Sequence, residues 1–488
     1  MYKIVAIGCS NCNTSIFLNI DIISLRRKYF KIYVDIYKQD GARLLVRHII
    51  ILDIVGLESS HLNSNLIPNI AKLANEGVSF KVEPVFPSVT CTVQASLLSG
   101  QYPNQHGIIS NGLYDKANYT VSFWEQSSSL VQAERIWDVA KRQNSSSIKT
   151  AVLFGQNTMY SKSDIVITPR PLHMEDGMVM WCYSKPVGYY EALKQKYGEF
   201  NLATYWGPLA SYKSSDWITQ AACDTLENER PNLMFAYMPH VDYSAQRFGK
   251  NSNEVREDLK RADQLVGGVL QKTIDLGIKD DTQFIIFSEY GFNDVLYHIP
   301  LNRILRDAGL LSVRTINNKE YIDFEYSKAF AMVDHQIAHI YINNASAEQI
   351  KKVLEKIEGV ERVLSGEDMK ILKINHERSG DLIAVANKDM WFSYYWWYEN
   401  EKAPNFATTV DIHRKPGYDP AELFIDPNTK SIPLDPSKIR ASHGRPPNNT
   451  TEEGLALYVS NQKSVISKNS QEIVGSVDIG KYLINLVS

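Results

Sequence analysis

Residues 48–57 read HIIILDIVGL, an apolar run broken only by Asp53 and stopped by Gly56. A stretch so uniformly apolar needs cover on both faces. It is far short of the ~18–20 residues that span a bilayer, so it predicts a buried strand of a parallel sheet with a carboxylate near its carboxyl end. The neighbouring residues agree. NLIPNIAKLANEGVSF (65–80) places apolar residues at helical spacing and ends on a glycine stop. A short strand (82–86) then runs into PVFPSVTCTVQ (84–94), where Thr90 opens a helix that stops at Gly100. Strand, helix, strand, helix in this order predicts an α/β domain with a mostly parallel sheet flanked by helices on both faces.

Further strands are expected at TAVLF (150–154), LMFAYM (233–238) and QFIIFS (283–288), the last two joined by a long amphipathic helix. The last two end at PHVDYSAQ and SEYG. Ligands of open α/β sheets sit beyond the carboxyl ends of strands. Asp53, Thr90, Asp242 and Glu289 all fall at such ends, and four strand ends bearing oxygen donors are the strongest functional signal in the chain.

The remaining divisions are coarser. Residues 1–47 form an N-terminal extension of unclear role and 48–299 the catalytic core. Residues 300–430 form an inserted α+β cap that includes the aromatic run WFSYYWWYE. Residues 431–488 return to the core, which resumes near Ser442, and end in a tail. A net charge of −3 on 488 residues argues against a general nucleic-acid binder. Five cysteines, few and odd in number, point to the cytoplasm rather than to a disulfide scaffold. The lone Cys9–Cys12 pair is weak as a zinc knuckle. No clean signal peptide opens the chain, although a divergent targeting segment stays open, and no transmembrane segment is expected. The sequence does not specify an oligomeric state.

An unassisted threonine hydroxyl is a poor nucleophile. A divalent cation and the amino end of a helix at the same corner both favour its alkoxide. A plain helix-capping threonine is the local alternative for Thr90, and the other strand ends weigh against it.

The segments ILDIVGL, IPNIAKLANEGV and PVFPSVTCTVQASLLSGQYPNQHGIISNG together resemble the type I phosphodiesterase/nucleotide pyrophosphatase family of the alkaline phosphatase superfamily, over about 48–450. The resemblance implies an alkaline-phosphatase-like core and two divalent metal ions, usually zinc. It also implies a phospho-threonine intermediate that water hydrolyses, and a small-molecule phosphoester or nucleotide substrate. By matching position, Asp53 is implied as a metal ligand, Thr90 as nucleophile and ligand, Asp242 and Glu289 as ligands, and His443 as the late histidine ligand.

Two expected imidazoles are replaced, by Gln246 and by Tyr290. The oxygen-rich set makes manganese or magnesium possible beside zinc. Asp334, His335 or His413 could instead complete the site, or a single metal could suffice. Hydrolysis of diesters or nucleotide pyrophosphates is the leading expectation. Carbon–phosphorus cleavage of the phosphonoacetate hydrolase type and a non-hydrolytic binding relative are the alternatives. His106 is expected to brace the turn after the nucleophile helix and His376 to sit in a cap turn. The aromatic run 391–398 is expected to pack rather than stack on substrate, and Arg414–Lys415 to be an exposed basic pair.

Overall fold

The computed structural model describes residues 48–488 except 64, 145–147, 176 and 464–472. The extension 1–47 and its Cys9–Cys12 pair lie outside the described residues. Among the described residues, a nine-stranded sheet forms the centre. Its order runs Ile473–Gly475, Val78–Glu83, Ala456–Ser460, Thr282–Phe287, His48–Ile54, Leu233–Met238, Thr150–Leu153, Ile165–Pro169, Cys182–Lys185. The HIIILDI strand, β1 (His48–Ile54), is buried along its whole length: parallel neighbours pair with both of its edges, and helices cover the sheet. Ala456–Ser460 and Cys182–Lys185 run against the rest.

Helices cover this sheet in two packed groups. Pro68–Glu76, Tyr212–Glu229 and Asn253–Asp275 form one. The helix opened by Thr90, α1 (Thr90–Ser99), packs with Ile136–Asn144 and Ser476–Val487 in the other. Helix α1 has no polar face: all ten of its residues are buried. Such a helix is held by packing on every side, not by amphipathicity, which fixes Thr90 rigidly.

Three elements bring site residues to the carboxyl end of the sheet: β2 (Leu233–Met238), α2 (His240–Phe248) directly after it, and β3 (Thr282–Phe287). Residues 300–430 contribute a separate four-stranded antiparallel sheet, in the order β4 (Ala329–Asp334), β5 (Ile337–Ile342), Leu382–Ala386, Val360–Leu364. Tyr394, Tyr395, Trp396 and Trp397 are buried in the apolar core beneath this sheet.

Strands β4 and β5 join by a two-residue turn, His335–Gln336, since Asp334 pairs with Ile337. His335 sits at φ +60°, in the left-handed region that only a few residue types enter readily. The turn is tied to the core. The Gln336 amide donates to the His443 carbonyl (2.9 Å), and its side-chain amide donates to the carbonyls of Lys388 (3.0 Å) and Met390 (2.9 Å).

Candidate active site

Thr90 is the first residue of α1, and its Oγ1 lies 2.9 Å from the Tyr290 hydroxyl. Asp53 comes from the end of β1, Asp242 from the first turn of α2, and Glu289 from just beyond β3. Gln94, one turn along α1 from Thr90, joins two of them. Its Nε2 donates to Asp53 Oδ2 (3.0 Å) and to Glu289 Oε1 (2.8 Å). The Gln156 backbone N–H holds the other end of that amide at 2.8 Å, which fixes its orientation. His443 stacks on the Tyr290 ring, centroids 3.6 Å apart, and its Nε2 is 3.9 Å from Asp242 Oδ1. His335 lies against His443 at 3.8 Å and against Tyr418 at 3.6 Å. The side chains from 53, 90, 242, 289, 335 and 443 thus form one continuous cluster.

The other sequence candidates have different places. Gln246 donates to Asp242 Oδ2 (2.9 Å) and accepts from the Tyr418 hydroxyl (2.7 Å), so it steers Asp242. Asp334 accepts from Ser110 Oγ (2.7 Å), Asn111 N (2.8 Å), Asn111 Nδ2 (3.1 Å) and His335 Nδ1 (2.7 Å). Those contacts occupy its oxygens. His413 donates from Nδ1 to the Phe123 carbonyl (3.2 Å) and stands on the cavity wall beyond the cluster. His106 bonds Ser96 Oγ (2.8 Å) and accepts from the Ile108 amide (3.1 Å), bracing the turn. His376 bonds Gln132 Oε1 at 2.9 Å. Lys415 is not an exposed partner of Arg414. It is buried between Asp419 (2.7 Å) and Glu422 (2.6 Å). The bridging role of Gln94 went unread, although the residue stands in the same PVFPSVTCTVQ stretch.

Among the described residues no three acidic, histidine or cysteine side chains already close around one point as a finished cage. The donor chemistry nevertheless fits cations. Asp53 Oδ1, Asp242 Oδ1, Glu289 Oε2, His335 Nε2 and His443 Nε2 are all buried and all lack a hydrogen-bond partner. Buried polar atoms are seldom left so. Both imidazoles are set to offer that nitrogen. His443 Nδ1 donates to the Ser88 carbonyl (2.7 Å) and His335 Nδ1 to Asp334, which leaves each Nε2 with its lone pair free.

The electrostatics agree. Burial, and then the neighbouring Glu289 charge, push Asp53 well above the usual carboxylate range. Burial raises Asp242 to about 8 and Glu289 to about 7. Burial and the facing His335 drive His443 well down. Burial lowers His335 as well, although Asp334 opposes it. Burial alone would raise Asp334, but the hydrogen bond and charge of His335 hold it below its ordinary value. Three carboxyl groups crowded in a dry site are poorly neutralised by protein alone, and a cation resolves that.

The family model for type I phosphodiesterase / nucleotide pyrophosphatase matches residues 49–419. The chain belongs to this family. An uncharacterized pyrophosphatase/phosphodiesterase of Schizosaccharomyces pombe is 23% identical over 266 residues, 52% of this chain and 46% of that protein. Bis(5'-adenosyl)-triphosphatase ENPP4 of Pongo abelii is 25% identical over 267 residues, 52% of this chain and 50% of that one. The matched region therefore spans about half the length of these relatives. Among solved structures, phosphonoacetate hydrolase from Sinorhizobium meliloti superposes with a TM-score of 0.58 at 16% identity, covering 91% of this chain and 96% of the other. Murine ectonucleotide pyrophosphatase / phosphodiesterase 5 gives 0.58 at 14%, covering 90% and 95%. Both likenesses establish the alkaline-phosphatase-like fold. No described helix is long and apolar enough to cross a membrane.

Proposed function

We propose that this chain is a metal-dependent phosphoric-ester hydrolase in which Thr90 is the nucleophile. The observation that carries the proposal is the set of five partnerless buried donors gathered about the Thr90 corner. Asp53, Glu289 and Thr90 would hold one divalent cation. Asp242, His443 and His335 would hold a second, with His335 taking the place that the family gives to an imidazole at position 246. The second set, with two nitrogens, suits zinc, and the oxygen-only set also suits manganese or magnesium. When bound, such cations neutralise phosphoryl oxygens and favour the threonine alkoxide.

The protein's own groups do the rest. The packed α1 fixes Thr90 Oγ1 at a helix start, where backbone N–H groups favour anionic oxygen. Burial raises the Tyr290 phenol well above its usual range, so it stays protonated and can donate to Thr90 Oγ1 as negative charge develops there. Thr90 Oγ1 attacks phosphorus, the P–O bond to the leaving alcohol or phosphate breaks, and a phospho-threonine forms. Water then displaces Thr90 from phosphorus and restores the hydroxyl. Gln94, bonded to both, holds Asp53 and Glu289 in place through both steps. Residues 300–430 act as a cap whose β4–β5 turn delivers His335. The free thiols of Cys91, Cys182 and Cys223 fit a reducing compartment such as the cytoplasm.

Single-turnover quench of a nitrophenyl phosphodiester should trap the remaining ester-bearing phosphoryl group on Thr90 as nitrophenol leaves. A burst of nitrophenol with no phosphate label on the protein would reject the covalent step. Acetate release from phosphonoacetate without nitrophenol release would favour carbon–phosphorus cleavage instead.

A further inference from the structure

Resting on the hydrolase proposal, we infer that the group esterified to phosphorus is an uncharged alkyl or aryl substituent, and not a nucleoside polyphosphate or a carboxylate-bearing phosphonate. A cavity of about 420 Å³ opens directly onto Thr90, Asp242, Tyr290 and His335. That falls within the usual range of small-molecule sites, roughly 300–1,000 Å³. Its walls are Trp124, Phe154, Tyr205, Trp206 and Met180, and its mouth carries Leu209 and Ile425. Leu209 is 67% exposed and Ile425 52%, so the apolar lining continues outward to the rim. Exposed apolar surface continuous with an apolar pocket marks a binding face rather than random surface.

Charge decides which occupant it suits. No lysine or arginine lines the cavity among the described residues, and its acidic groups are Asp242 and Asp411. Of the arginines nearest the wall in sequence, Arg170 lies on Met159 Sδ (3.1 Å), and Arg414 pairs at 3.5 Å with Asp411, balancing that wall carboxylate. Phosphate and carboxylate groups are recognised by such cations, as bidentate or point-charge partners. The second and third phosphates of a nucleotide would meet a lining of Trp206 and Leu209 with only neutral polar groups and His413 beside them and no lysine or arginine, as would the carboxylate of phosphonoacetate. An alkyl or aryl group there is desolvated against aromatic rings at no electrostatic cost.

The walls are also built to hold their shape. Trp124 and Phe154 both stand at φ +61°, as unusual for large aromatics as His335 at +60°. Trp206 is held by a hydrogen bond to Glu422 and by ring contacts with Tyr243 (5.4 Å) and Tyr418 (5.8 Å). Strained backbone kept by its surroundings concentrates at ligand sites.

The test compares ethyl and hexyl nitrophenyl phosphate with the nitrophenyl ester of thymidine 5'-phosphate and with ATP, on the metal-loaded full chain. Each buried methylene should raise kcat/KM roughly three- to fourfold, and the hexyl ester should exceed ATP at least tenfold. Ile425→Arg, at the exposed rim, should move that preference toward ATP. In parallel, hexyl phosphate should quench the fluorescence of Trp124 and Trp206 at lower concentration than AMP. ATP turned over faster than the hexyl ester, or no gain with chain length, would overturn the inference and leave the hydrolase proposal standing. Tight hexyl phosphate binding without turnover of any ester would keep the cavity assignment and sink the hydrolase proposal.

Discussion

Replacing His335 by phenylalanine separates its ring from its nitrogens. The aromatic ring between Tyr418 (3.6 Å) and His443 (3.8 Å) remains, while the Nε2 lone pair and the Nδ1–H are lost. Loss of a ligand costs at least what loss of a partner behind a ligand costs, about 10- to 100-fold in metal affinity. That is about 1.4–2.8 kcal/mol at one of the two proposed positions. The fold loses less than the full cost of an unpaired carboxylate, and a phenylalanine at φ +60° adds strain of up to about 1–3 kcal/mol. Asp334 gives up the His335 hydrogen bond, worth about 1.5–3 kcal/mol. It keeps Ser110 Oγ, Asn111 N and Asn111 Nδ2 as donors. The expected variant is folded and holds one cation normally and the second weakly. Titration of chelator-stripped protein with zinc or manganese against a chromophoric competitor reads both affinities, and circular dichroism with a urea midpoint checks folding. Two cations bound by the variant within twofold of wild-type affinity would refute the assignment of His335, and with it the account of how position 246 came to be glutamine.

Three other outcomes are expected. Thr90→Ala should abolish ester turnover while the protein still binds cations, about 10- to 100-fold more weakly at the Asp53–Glu289 position by the same titration; activity above about 1% of wild type would reject Thr90 as nucleophile. In the metal-free protein, Asp242 near 8 and Glu289 near 7 hold protons that the unfolded chain releases near pH 4, so the folded state binds more protons and loses stability as pH rises. Between pH 6.5 and 8.5 that loss is about 2–3 kcal/mol. Added zinc should reverse it while releasing protons, seen as a buffer-dependent heat of binding, and a metal-free urea midpoint flat across this range would contradict the raised values. Lys415→Met leaves Asp419 and Glu422 buried without their cation and should cost about 3–5 kcal/mol in urea unfolding. A change below about 1 kcal/mol would mean that one of the two acids is neutral in the wild type.

How much could be read from the chain depends on how far each feature relies on distant partners. The core was legible because its signals are local: an all-apolar run predicts β1, and a helical period with a glycine stop predicts the helix after it. Asp53, Thr90, Asp242 and Glu289 were legible because strand ends in such a sheet share one edge, whatever lies between them in sequence. The aromatic run packs as expected from 391 to 397, while Tyr398 at its end is exposed. Lys415 was misjudged because its acidic partners stand four and seven positions further on, in a segment with no regular period to show that they face inward. The role of Gln94 depends on two carboxylates 41 and 195 positions away, which no local pattern encodes. His335 could be named as a candidate but not chosen over His413, because the choice rests on which of two turns in residues 300–430 reaches the core. Its two-residue turn at φ +60°, pinned by Gln336 to the His443 carbonyl, supplies the reason. A tight turn anchored on the backbone of one proposed ligand places the next side chain beside it. Under the proposed assignment, the imidazole absent from α2 is supplied by an element of another sheet.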